Sequence, residues 1–200
     1  MGGVNGFSRL LVAGLLALSL AGAMGASAAS RQTDVGVRAI GMGGAFPAVA
    51  SDATAIRWNP AAIAALQRQE IDAAYADRFG LGLDESYLAY VLPLTERHAI
   101  GLDWFHRGFD DVAGGLGLQS SQNMLSLAYG YRNGIARLRP LLGNASVGIA
   151  AKWLNQDAEL DGLSVMSAAG VGFDVGLLYP LPHGLRFGFA IQDVGGTSAE

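Results

Sequence analysis

The chain has 200 residues, 51% of them hydrophobic and 15% charged, with a net charge of -4 and no cysteine. That length suits one domain. The charge balance offers no basic footprint for nucleic acid, and the missing cysteines exclude a disulfide framework, a cysteine zinc site and a lipoprotein anchor. The charged fraction lies below the roughly 25% of ordinary soluble domains, and glycine, at 29 residues, is about twice as frequent as usual.

Residues 1–28 have the layout of a cleaved secretory signal. Arg9 supplies a positive start, Leu10 to Ala23 an apolar stretch, and Ala26-Ser27-Ala28 a small-residue cleavage site. The apolar stretch, about 14 residues, falls short of the ~20 that a spanning helix needs. No later segment reaches that length without Asp, Arg, Gln or a glycine cluster. Any crossing of a membrane therefore falls to strands.

Residues 29–68 form a second unit, centred on Val35 to Leu66. It is too broken by glycine for a strand ladder and too apolar for a linker. Gly36, Gly41, Gly43 and Gly44 supply positions for positive φ or close backbone approach. Asp52 is placed to cap a turn through Ala53–Arg57, and Asn59-Pro60 is a second helix start, with asparagine at the N-cap and proline at the first helical position. A compact, small-residue wedge with two short helices is expected.

From residue 69 to 200 the pattern turns to period two, the signature of strands with two different faces. Seven strands are predicted: Gln69–Phe79, Ser86–Leu92, His98–Arg107, Gln122–Arg132, Asn144–Leu154, Ala169–Tyr179 and Leu185–Asp193. Most approach the ~9–11 residues of a tilted membrane strand. One face is apolar, with Trp104, Trp153, Tyr131 and Tyr179 near strand ends, as interfacial girdles require. The other is glycine, alanine and serine with a few charges: Asp103, Lys152, Asp174 and Arg186. A soluble sandwich would show Lys, Glu and Thr on its watery face. Small inward residues instead leave room for the wedge inside a barrel, where the four charges would pair with one another or with Arg38, Asp52 and Arg57.

Pro93–Arg97 and Leu181–Gly184 are expected as short turns, and Gly108–Ser121 and Asn155–Ala168 as long loops at the opposite end. Asn133–Gly143 is a long connection that does not follow this alternation. The acidic residues Asp110, Asp111, Asp157, Glu159 and Asp161 match no calcium-loop spacing, and His98, His106 and His183 sit in different elements without metal spacing. No nucleophile or phosphate-loop motif is complete. Neither an enzyme nor a resident metal or cofactor is indicated.

Gly41-Met42-Gly43-Gly44-Ala45-Phe46, Ser51-Asp52-Ala53-Thr54-Ala55 and Trp58-Asn59-Pro60-Ala61-Ala62 together resemble the N-terminal region of the PorV/PorQ family. That family is similar to the FadL-type outer-membrane transporters, which share the Asn-Pro-Ala element. Ala62 departs from the pattern, where relatives usually carry glycine. The residues that carry the resemblance are Gly41, Gly43, Gly44, Asp52, Trp58, Asn59 and Pro60. It implies an all-β, antiparallel transmembrane β-barrel in the cell outer membrane, with the N-terminal segment as a plug or hatch. FadL-type barrels have fourteen strands, so the seven here are expected to be about half of one, and the chain a fragment. The resemblance also implies outer-membrane lipid as surroundings, and either hydrophobic small molecules such as long-chain fatty acids or exported proteins as partners. The rival from the residues alone is a soluble periplasmic β-sandwich.

Overall fold

The structure, a computed structural model, describes residues 35–78, 80, 82–113, 116–133 and 143–194, with side chains apart from those of 111–113 and 116. The expected signal at 1–28, residues 29–34, most of the Asn133–Gly143 connection and the end of the chain lie outside the described residues. The described residues are all-β with a few short helices. Their seven strands are β1 (Glu70–Arg78), β2 (Leu83–Pro93), β3 (His98–Ala113), β4 (Leu116–Arg132), β5 (Ser146–Leu160), β6 (Leu163–Pro180) and β7 (Arg186–Ile191). They form one sheet in chain order, every pair antiparallel, curled as a half barrel.

Ahead of the sheet come α1 (Val37–Gly41), α2 (Ala55–Trp58) and a 3-10 turn, Pro60–Ala65. Asn59 caps that turn, accepting from the Ala61 N–H at 3.1 Å, with Pro60 at its first position. Asp52 acts one step before α2: its carboxylate accepts from the Thr54 N–H at 3.1 Å and from the Thr54 hydroxyl. Gly43 and Gly44 have φ of +61° and +79°, which L side chains rarely adopt. Gly41 differs from its expected role: it ends α1 with open space where a Cβ would stand.

The alternation along the strands separates two faces. On the inner face, Tyr87, Ala89, Val91, Ala99, Phe105, Met124, Ala128, Ala150 and Leu178 are buried with residues of the N-terminal segment in a single apolar core. On the outer face, side chains meet across strands in continuous rows, such as Tyr90, Leu102, Leu127, Ala151 and Phe173. Leu127, Ile149 and Phe173 are 60%, 59% and 55% exposed.

Two expected loops are mostly strand among the described residues. Gly108–Ser121 and Asn155–Ala168 continue the β3–β4 and β5–β6 ladders, so that β3 to β6 run to 15–18 residues. Asp161-Gly162, with φ of 51° and 73°, closes β5 onto β6. Positive φ at both central positions is the requirement of the tight hairpin turn that Asp-Gly favours.

Candidate functional site

The inner face is a seat for the N-terminal segment, and glycine makes it. Gly130, Gly148 and Gly176 face one another across β4, β5 and β6. A Cβ on Gly130 would stand 2.7 Å from Ile63 Cγ1. One on Gly148 would overlap the Ala61 nitrogen and the Pro60 carbonyl, and one on Gly176 the Asn59 Oδ1. Gly101 of β3 and Gly188 of β7 do the same beneath Ile56 and Ala48. Five consecutive strands thus meet the segment at backbone distance, where any side chain would hold it off.

Polar contacts fix the segment within this seat. The Asn59 amide donates to Pro47 O at 2.9 Å and to Leu177 O at 3.0 Å, joining segment to segment and segment to β6. Trp58 Nε1 donates to Val35 O at 2.9 Å, and its ring packs edge-on to Phe46 at 5.9 Å. Arg57 carries the segment's buried ionic contact with the sheet, whereas Arg68 meets Glu70 of β1 at the surface, 3.1 Å away. Arg57 Nη2 lies 2.6 Å from Asp103 Oδ1, its Nη1 2.8 Å from Met124 Sδ, and its guanidinium over the rings of Phe105 and Tyr87 at 5.2 and 5.7 Å. Gln192 Nε2 closes the group by donating to Arg57 O at 2.6 Å.

The four charges expected on the inner face part company. Asp103 is fully buried and pairs with the segment through Arg57. Asp174 is buried but turns to Lys152, 2.9 Å away, and accepts from the Asp193 N–H at 2.8 Å. Lys152 also meets Asp193 at 2.9 Å. Arg186 is exposed at the start of β7. Arg38 stays within the segment, donating to the Ser51 hydroxyl at 2.8 Å and lying 3.8 Å from Asp52. Of the motif residues, Gly44, Asp52, Trp58, Asn59 and Pro60 build the segment internally, while Gly41 and Gly43 make no close approach.

Above the seat the inner face carries a second charged group that sequence reading missed. Glu85 on β2 accepts from Arg78 Nε at 2.6 Å and from Arg107 Nε at 2.7 Å. Arg107 also lies over Phe105 at 5.5 Å, so that two guanidiniums contact the one ring. Register decides these partners, because Glu85 lies opposite Arg107 across β2 and β3. Beyond them, Leu118, Leu160, Leu163 and Met166 stand exposed on the same side of the extended strands, at 38–72%.

The histidines do not converge. His98 Nδ1 meets the Tyr129 hydroxyl at 2.6 Å, His106 Nδ1 meets Asn123 Oδ1 at 3.0 Å, and His183 lies in the Pro182–Gly184 turn. Among the described residues no three His, Cys, Asp or Glu gather as a metal site, and no helix is long and apolar enough to cross a membrane. The molecule defined here is an antiparallel half-barrel sheet with an ion-paired segment seated on its inner face. No protein-family model, curated protein or solved structure matches the chain.

Proposed function

We propose that this chain is an outer-membrane β-barrel protein of the PorV/PorQ–FadL-like kind, exported through a cleaved signal and acting without catalysis. Its role lies in transport or in outer-membrane assembly and secretion, with the N-terminal segment as the plug. The observation that carries this reading is the outer face. Rows of Leu, Ile, Val, Phe, Tyr and Trp run across the strands, and none of the described residues covers them. An apolar surface this continuous suits acyl chains and is costly in water. The inner face meanwhile is small, polar in places and already filled, the reverse of a soluble sandwich.

Fractionation of cells producing the protein tests the reading. A barrel partitions with outer membrane and shifts its gel mobility on heating. Recovery as a detergent-free soluble monomer would return the periplasmic sandwich to the front.

Passive uptake of hydrophobic molecules is a second reading, favoured by Leu118, Leu160, Leu163 and Met166. The sequence scatters these residues over two supposed loops, but the register gathers them on one side of the sheet. Saturable binding of a fluorescent long-chain fatty acid, weakened by Leu163→Asp, supports uptake. Unsaturable binding, unmoved by that change, leaves the docking role.

A further inference from the structure

On the outer face, polarity changes at one register level and stays changed over the next three rows. The row Leu88, Trp104, Leu125, Trp153, Val171 is apolar and holds both outward tryptophans. The next row toward the Asp161-Gly162 turn is Tyr75, Ser86, His106, Asn123, Asn155, Ala169, with the Tyr75 hydroxyl donating to Asp84 of the row above. The one after is Asp84, Gly108, Ser121, Asp157, Ser167, and the third is Asp110, Gln119, Glu159, Ser164. Within and between these rows the side chains bond to one another: His106 to Asn123, Asn155 and Ser167 to Asp157, and Gln119 to Asp110.

A polar row at the headgroup level needs no explanation. Three in succession do. From Trp104 to Asp110 the strand advances about 20 Å at ~3.3 Å per residue, which is about 14–16 Å along the bilayer normal at a tilt of ~35–45°, whereas a headgroup layer is only about 5–8 Å deep. Strands of 15–18 residues also exceed the ~9–11 that a crossing takes. Carboxylates and amides facing hydrocarbon would lose their water without replacing it.

We infer that the sheet beyond the Trp104–Trp153 row stands clear of the bilayer as a hydrated wall, with lipid ending at those tryptophans. This rests on the membrane reading above. The partner of the lower outer face is acyl chain, and that of the upper outer face is water. The wall also presents the apolar inner residues Leu118, Leu160, Leu163 and Met166 to the aqueous side.

The chain has no cysteine, so single cysteines report cleanly. The full chain carrying Asn123→Cys, Asp157→Cys, Leu127→Cys or Ile149→Cys is reconstituted into phosphatidylcholine vesicles. A charged maleimide is supplied on both sides of the bilayer. Labelling at 123 and 157 is expected to be about tenfold or more faster than at 127 and 149, a margin of ~1.4 kcal/mol. Ser167→Cys serves as a third upper position should either polar variant fail to fold. Protection of 123, 157 and 167 to the level of 127 overturns the wall and leaves the membrane reading standing. Fast labelling at 127 and 149 as well overturns both.

Discussion

Arg57 Nη2 and Asp103 Oδ1 lie 2.6 Å apart with the aspartate side chain fully buried, and this ion pair joins the N-terminal segment to the wall of the sheet. Removing one member strands the other charge out of water, at a cost of about 3–5 kcal/mol. Asp103→Ala is therefore expected to loosen the segment and expose the Arg57 peptide to protease. Asp174→Ala should leave it protected, because Asp174 engages Lys152 and Asp193 rather than the segment. Limited proteolysis of the two variants side by side checks this, and equal resistance would refute the retaining role of Asp103.

Beside that pair, the Tyr87 ring lies under the guanidinium while its buried hydroxyl finds no hydrogen-bond partner among the described residues. Tyr87→Phe keeps the ring and removes the unsatisfied group. Stability should hold or rise by up to ~1 kcal/mol, read from denaturant midpoints. A clear loss would mean that the hydroxyl has a partner in solution.

Much of this arrangement is legible in the sequence, and the reason is contrast. Where one face is large and apolar and the other small, as in Leu125 to Tyr131, alternation fixes both the strand and its phase. The same logic fails in 108–121 and 155–168. There the outer face is polar, the large inward residues Leu118, Leu160, Leu163 and Met166 are sparse, and a register shift at Ala158/Glu159 breaks their phase, so the strand extensions look like loops. Asp161-Gly162 between Leu160 and Leu163 was the available signal, since that dipeptide favours a two-residue hairpin. Partners were less legible than faces. Asp103 meets Arg57 and Asp174 meets Lys152 because of where strands align and where the segment rests, neither of which one chain's periodicity reveals.

Gly148 is the sharpest test of the seat. Even an alanine there would place Cβ against the Ala61 nitrogen and the Pro60 carbonyl, which cannot rotate away. Gly148→Ala should destabilise by about 1–3 kcal/mol as the segment is pushed off. Gly41→Ala, in open space at the end of α1, should be neutral or stabilising by up to ~1 kcal/mol. Unfolding in urea followed by tryptophan emission compares them, with Trp58 reporting on the segment itself. Indistinguishable midpoints would argue that the segment does not rest on the glycines.

Asn59 holds three backbone groups at once: it accepts from Ala61 and donates to Pro47 and Leu177. Asn59→Ala leaves all three without that partner, for a loss of about 2–4 kcal/mol. Asn59→Asp keeps the acceptor for Ala61 but presents a carboxylate to two carbonyl oxygens, so it should be no milder despite its matching shape. A fully stable aspartate variant would show that the Pro47 and Leu177 contacts contribute little.

The outer face makes the most direct prediction about medium. Leu127 sits mid-row between Leu102 and Ala151, is 60% exposed, and lies well inside the apolar rows. In water, arginine at such a position would be harmless and would even help solubility. Facing lipid, it should cost about 2–4 kcal/mol near the midplane and less toward either interface. Ser121→Arg, outward on the upper part of β4, provides the comparison at a hydrated level. In vesicles, Leu127→Arg should lower the urea midpoint while Ser121→Arg leaves it in place. If both variants unfold with the parent protein, the apolar rows are not in contact with acyl chains, because no other environment lets a charge replace a leucine there without cost except water itself.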